Sequence, residues 1–402
     1  MTNAQSHSAW STFVAFLRLG LTSFGGPTAH LAYFRNEFVT RRGWLSERSY
    51  ADLVALCQFL PGPASSQVGI ALGLSRSGYP GAFTAWLGFT LPSAVFLMIF
   101  ALGLTQLSPT LISSGALRGL EATALAVIAQ AVWGMSRQFC TSPLARIITL
   151  MAAAVVWLIP AVAAQIGVIV AAGVFGVMSF APTLSTPSEG LNIRVSRRTG
   201  MLCLMVFAGL LLLLPALARM IPHPSAAMLD VFYRTGSLVF GGGHVVLPLL
   251  HAEIIPRGWL NNDTFMAGYG MAQAVPGPLF TFAAFLGTSA DVGQTGWLNG
   301  VLCLLAIFAP SFLLVFGVLP FWEYLRQHKR MQAALMGINA AVVGLLLAVV
   351  LQQLHTTVFN YPQYLGLTVL AFAALTFWKL PPWLVVIGGS AVNIIAITFM
   401  NH

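Results

Sequence analysis

The passage FGGPTAHLAYFRNEFVTRRGWLSERSYADLVALCQFLPGP, Phe24 to Pro63, recurs as FGGGHVVLPLLHAEIIPRGWLNNDTFMAGYGMAQAVPGP, Phe240 to Pro278. Phe24, Gly25, Gly26 and Glu37 align with Phe240, Gly241, Gly242 and Glu253. After one residue of slippage, Arg42 to Leu45 align with Arg257 to Leu260, and Gln58 and the first PGP align with Gln273 and the second. Rare elements in the same order at nearly constant gaps mark a duplication. A duplicated half interrupted by Gly and Pro inside apolar sequence points to a transporter's binding site.

The surrounding sequence belongs in a bilayer. Of 402 residues, 57% are hydrophobic and 7% charged, against roughly 25% charged in soluble domains. Apolar runs approach the roughly 20 residues of a spanning helix at 81–104, 117–135, 144–158, 162–180, 201–218, 297–319, 335–354, 364–377 and 382–400. They are continuously apolar, without the alternation of a transmembrane barrel, so helices are expected. The net charge of +9 reflects orientation in the membrane, and nucleic acid is not an expected partner. Arg76, Arg137 and Arg146, Arg194, Arg197 and Arg198, Arg326, Lys329 and Arg330, and Lys379 mark cytoplasmic loops, and the intervening short loops lack Lys and Arg.

The expected fold class is an all-α polytopic membrane protein of two inverted-topology repeats. The first repeat occupies 1–181, a cytoplasmic linker 182–199, and the second repeat 200–402, with its motif region from 226. Five helices follow the first motif, and an odd number of crossings inverts the second copy. The arms around FGG and PGP are shorter than the hydrocarbon core, so broken or re-entrant helices are expected there, with tips meeting near the midplane. Nine full crossings result, or thirteen if each arm crosses. Broken backbone at that depth requires protein or a water-filled cavity around it. No basic leader and cleavable apolar stretch open the chain, so no signal peptide is expected.

Helix starts at Gly25-Gly26, Gly62, Gly241-Gly242 and Gly277 would leave amides unbonded, which suits an anion. Arg18 and Arg234 each lie six residues before the motif Phe, and a guanidinium matches an oxyanion with a planar fork of donors. Each Arg is equally suited to pairing with Glu37 or Glu253 of its own repeat. Those carboxylates also stand four residues before Arg41 and Arg257, a salt-bridge spacing. His30 and His244 are candidate hydrogen-bond donors. Gln58, Gln273, Ser65, Ser66 and Gln67 are candidate neutral lining, or ordinary interhelical hydrogen-bonding groups. Glu121, aligned with Asn339, and Asp52 lack acidic counterparts and are candidates for proton coupling, with Glu37 and Glu253 behind them. Four scattered cysteines and the absence of HExxH or clustered His and Cys argue against disulfides, metal and cofactor.

FGGPTAHLAYFRNEF, RRGWLSE and FLPGPASSQVGIALG, with Leu91-Pro92-Ser93 recurring as Ala309-Pro310-Ser311, resemble the chromate ion transporter family, long-chain bacterial type. The resemblance covers nearly the whole chain. It implies a multi-pass bacterial inner-membrane protein that exports chromate and confers resistance, with sulfate as competitor or alternative cargo. Where the family often has polar residues after the first PGP, this chain has Ala64 and then Ser65, Ser66 and Gln67; the second repeat has Leu279, Phe280, Thr281 and Phe282. The first repeat is therefore expected to supply more polar contacts. A dianion leaving a cell about 100 mV negative inside gains roughly 2 × 2.3 kcal/mol, which favours export driven by the potential, with or without proton exchange. The alternatives are a sulfate or other oxyanion carrier, and an integral-membrane enzyme or assembly subunit, against which stands the lack of GxSxG and P-loop motifs. The bilayer is the expected surrounding, and a homodimer is compatible with the sequence.

Overall fold

The computed structural model describes residues 8–106, 115–159, 161–181, 195–221, 223–240, 243–292, 296–326, 328–360 and 363–400. The expected glycines Gly241 and Gly242, and most of the expected linker (182–194), lie outside the described residues. Among the described residues the regular structure is helical.

The helices are α1 (Ala9–Thr22), α2 (Gly26–Phe34), α3 (Glu47–Phe59), α4 (Ala64–Gln106), α5 (Gly115–Phe139), α6 (Pro143–Leu158), α7 (Val162–Ser179), α8 (Arg197–Met220), α9 (Pro224–Leu238), α10 (Val246–Ile254), α11 (Asn262–Ala274), α12 (Phe282–Ser289), α13 (Gly296–Val318), α14 (Trp322–Arg326), α15 (Lys329–Asn360), α16 (Gln363–Thr376) and α17 (Pro382–Met400). Each of the nine expected apolar runs lies on one of them. Among the described residues four stretches, Ala64–Leu104, Arg197–Met220, Gly296–Phe321 and Lys329–His355, are long and apolar enough to cross a membrane. The chain is a multi-spanning, all-α membrane protein.

The two RGWL turns are built alike. Gly43 and Gly258 have φ of 59° and 69°, a left-handed conformation that glycine adopts without a Cβ clash. Three residues later Ser46 and Asn261 cap α3 and α11, accepting from the amides of Ser49 (3.1 Å) and Thr264 (2.7 Å). The single residue of slippage also has a structural counterpart. Arg35–Arg41 forms a π-helix directly continuing α2, and a π-turn accommodates one extra residue in a helix. The second copy, one residue shorter, leaves α10 as an α-helix and enters its turn after Ile254.

Close helix packing repeats between the halves. α4 doubles back at Ser77–Gly78, where the backbone leaves helical geometry. Its second limb meets α1 so tightly that a Cβ at Gly20 would stand 2.7 Å from the Phe89 carbonyl oxygen. The aligned Gly236 of α9 meets the Ile307 carbonyl of α13 in the same way. Small residues let backbones approach where burial in water-excluded surroundings gives little other drive.

Elsewhere the halves exchange helices. α15, from the second half, packs on α6 and α7 of the first; α5, from the first, packs on α16 and α17 of the second. Gly176 and Gly337 face each other across α7 and α15, and Gly344 abuts the backbone at Thr149. The Thr149 hydroxyl donates to the Ala340 carbonyl (2.8 Å), and that of Thr368 to the Ala122 carbonyl (3.2 Å). Neither half can separate without exposing both seams.

Candidate functional site: the FGG and PGP breaks

Each PGP break is bonded to the other half's FGG break. The Gly62 amide donates to the Val239 carbonyl (2.6 Å) and the Gly277 amide to the Ser23 carbonyl (3.1 Å). Ser23 and Val239 are the aligned residues that precede FGG, so the two bonds form a reciprocal pair. Gly62 and Gly277 adopt φ of 118° and 110°, and Gly25 and Gly26 of 103° and 76°. Side chains are barred twice at PGP, because a Cβ at Gly62 would stand 3.0 Å from Ser311 Oγ and one at Gly277 2.7 Å from Ser93 Oγ. Ser93 and Ser311 are themselves aligned, and the sequence signal that could have identified them is the shared Pro-Ser of LPS and APS.

The helix-start amides expected to face an anion are therefore partly occupied: both PGP glycine N–H groups are bonded to backbone. Pro27 stands in the first turn of α2, which starts from left-handed Gly25. The Ser65, Ser66 and Gln67 side chains are buried in the first turn of α4. Gln67 Nε2 donates to the Pro61 carbonyl (2.6 Å), tying PGP to the helix that follows.

Two cavities flank this junction. The first, of 130 Å³, is lined by Gln58, Leu60, Gly62 and Ala64, by Pro27 and Leu31 of α2, and by Gln138 and Asn339 from distant helices. The second, of 10 Å³, is lined by the aligned Gln273, Val275, Gly277 and Leu279, with Gly25, Gly26, Pro27 and His244. Equivalent residues thus surround a cavity in one half and a much smaller cleft in the other, and Pro27 borders both. Beside the smaller cleft, Tyr269 hydroxyl (2.8 Å) and Gln273 Nε2 (3.2 Å) converge on His244 Nδ1. His30 is buried differently, donating to the Ser23 carbonyl (3.2 Å) and meeting Phe89 edge-on. A further cavity, of 240 Å³, shares Gln58 with the first and is lined by Asp52, Phe59, Trp322 and Gln332.

The charged candidates lie outside both cavities at the junction. Arg234 is bridged to Asp230 (2.8 Å) and Glu253 (2.5 Å), and Glu253 also holds Arg257 (2.8 Å). Glu37 holds Arg41 and Arg42, each at 2.7 Å. The aligned Arg18 is exposed, and its charge acts on Glu37 through space. The difference follows from sequence: Asp230 is aligned with Val14, so the first half has no second acid to anchor its arginine. Glu121 is half-buried on α5. At the exposed start of α3, a hydrogen bond from Arg35 holds Glu47 below the usual carboxylate range. Gln138 was not foreseen as lining, and Asn339 was noted only as the counterpart of Glu121; neither carries a local motif. Among the described residues no group of His, Cys, Asp or Glu is arranged to hold a metal.

Duplicated, cross-bonded breaks in a multi-spanning helical bundle define an integral membrane protein built of two like halves. The family model described as Chromate transporter matches residues 10–177 and 226–394, and the chain belongs to that family. It is 28% identical over 387 residues to a chromate transport protein of Pseudomonas aeruginosa, covering 91% of this chain and 87% of the relative. It is 27% identical over 406 residues to a chromate transport protein of Cupriavidus metallidurans, covering 96% and 93%. An uncharacterized transporter of Bacillus subtilis, YwrB, is 29% identical over 170 residues, covering 41% of this chain and 84% of the relative. No solved structure matches.

Proposed function

We propose that the chain exports chromate from the cytoplasm across the inner membrane by alternating access, with the membrane potential driving the dianion outward. The observation that carries this reading is the family match over both halves, joined to relatives named as chromate transport proteins along almost their whole length.

The geometry supports it at three points. Trp44 of the first RGWL turn stands 5.3 Å from the Arg76 guanidinium, next to the reversal of α4 at Ser77–Gly78. Trp259 of the second turn shares a cavity with Leu104, near the other end of α4. At 1.5 Å per residue that limb is long enough to cross roughly 30 Å of hydrocarbon. Turns at its opposite ends favour an inverted pair whose FGG and PGP arms enter and return.

Second, the cavities sharing Gln58 run toward Gln332 and the start of α15 at Lys329 and Arg330, an end that the excess of basic residues assigns to the cytoplasm. Third, the equivalent cleft around Gln273 is 10 Å³ against 130 Å³ around Gln58, so the two copies of the junction are held in different states, as alternating access requires of two like halves. Each charge moved outward through about 100 mV releases about 2.3 kcal/mol, so a dianion needs no coupled proton to leave.

Everted membrane vesicles test the reading. Chromate accumulation that rises with an inside-positive potential and falls with excess sulfate supports it. Saturable, energy-dependent sulfate entry into whole cells, without chromate accumulation in everted vesicles, would make the protein a sulfate importer instead.

A further inference from the structure

Among the described residues, no charged side chain lines the cavity beside Gln58. Its polar groups are three carboxamides, Gln58 of α3, Gln138 of α5 and Asn339 of α15, set among Pro27, Leu31, Leu60 and Phe139. Gln58 and Gln138 are exposed and Asn339 half-buried. Among the described residues none of the three takes a side-chain hydrogen bond, whereas the counterpart of Gln58, Gln273, is tied to His244. The reason lies in sequence: His244 is aligned with Thr28, so the first half has no imidazole at that position.

The cavity's 130 Å³ corresponds to about four waters at roughly 30 Å³ each. That is room for a small tetrahedral oxyanion with part of its hydration shell. Both guanidiniums aligned before FGG are elsewhere, Arg234 held by two carboxylates and Arg18 exposed. A site of neutral donors also suits transport, because a carrier must release its cargo, and a buried Arg–oxyanion pair is held by strong bidentate bonds.

We propose that Gln58, Gln138 and Asn339 form the oxyanion subsite, which binds a fully ionised tetrahedral dianion through carboxamide N–H donors and without a cationic side chain. The proposal rests on the transport reading above. Carboxamide N–H groups can donate to the oxygens of such a guest. Replacing one amide by a carboxylate substitutes an acceptor and a negative charge for a donor, which opposes binding while nearly preserving shape.

The test uses the full-length protein in nanodiscs, with equilibrium binding of chromate and of radiolabelled sulfate measured separately. Gln58→Ala and Asn339→Ala each weaken binding about tenfold or more, the value of a hydrogen bond to a charged group. Gln58→Glu and Asn339→Asp abolish it, and Ser136→Ala, on the same helix as Gln138, leaves it unchanged. In Ala64→Cys protein, sulfate, which unlike chromate does not oxidise thiols, slows alkylation of the new thiol, read by peptide mass spectrometry, a result independent of how well the amide variants fold. If Gln58→Glu and Asn339→Asp bind either anion with unaltered affinity, or sulfate at saturating binding leaves the thiol unprotected, the subsite is wrong although the transport reading stands. If unaltered protein in proteoliposomes moves no oxyanion, the transport reading fails first.

Discussion

The Gly62 amide donates to the Val239 carbonyl 2.6 Å away, and the aligned Gly277 amide donates to Ser23 at 3.1 Å. Each half therefore closes the other's break, and the donors can sit there only as glycines. With φ above 100° and a serine hydroxyl 3.0 or 2.7 Å from where the Cβ would stand, Gly62→Ala and Gly277→Ala each combine backbone strain of about 1–3 kcal/mol with a tight contact. Both variants should show a lower Tm in detergent and reduced transport. Gly103→Ala, at a helical position with no neighbouring atom within 4 Å, should leave Tm unchanged or slightly raised.

Arg234 and Arg18 occupy aligned positions but should respond differently to removal. Arg234→Ala strands Asp230 and leaves Glu253 with Arg257 alone, at acids whose side chains are 8% exposed each. Breaking a buried pair costs about 3–5 kcal/mol, so this variant should unfold earlier, and Asp230→Asn should restore part of the loss. Arg18→Ala should alter Tm little, as expected of an exposed side chain. Thermal unfolding of the three variants in one detergent distinguishes the two roles.

The π-helix at Arg35–Arg41 predicts that one deletion is tolerated. Removing Thr40, which is exposed, brings Arg42 from five to four residues after Glu37, the spacing at which Arg257 bonds Glu253. The shortened segment should become α-helical, with Tm close to that of the intact protein. Removing Leu56 from the buried face of α3 should abolish folding. Size-exclusion profiles of the two deletions decide the matter.

These contrasts show what the sequence carries. The nine apolar runs were legible because bilayer helices need only length and composition; RGWL was legible as a repeated element, although the left-handed Gly43 and the Ser46 cap that build its turn were not singled out. The slippage was visible as an alignment gap, but that it would be absorbed by a π-helix was not. Arg18 and Arg234 looked equivalent since alignment compares positions, whereas their fates depend on Asp230 opposite Val14. The contribution of Gln138 and Asn339 to the cavity was hidden for another reason: both come from helices far along the chain, Asn339 on an α15 contributed by the other half, a long-range arrangement that no motif announces.

That exchange yields its own prediction. Gly176 and Gly337 bring α7 and α15 into backbone contact, and small residues are what permit such approach. Gly176→Leu or Gly337→Leu should force the helices apart and lower the yield of monodisperse protein severalfold. Gly209→Leu on α8, where no atom lies within 4 Å, should not. Fluorescence-detected size exclusion provides the measurement.

Flux through the purified protein is the most direct test of the central claim that these two interlocked halves carry an oxyanion. In proteoliposomes with an imposed potassium-diffusion potential, chromate should move toward the positive compartment, faster as the potential rises, and more slowly with excess sulfate. Flux no greater than in protein-free liposomes at either polarity would contradict the account.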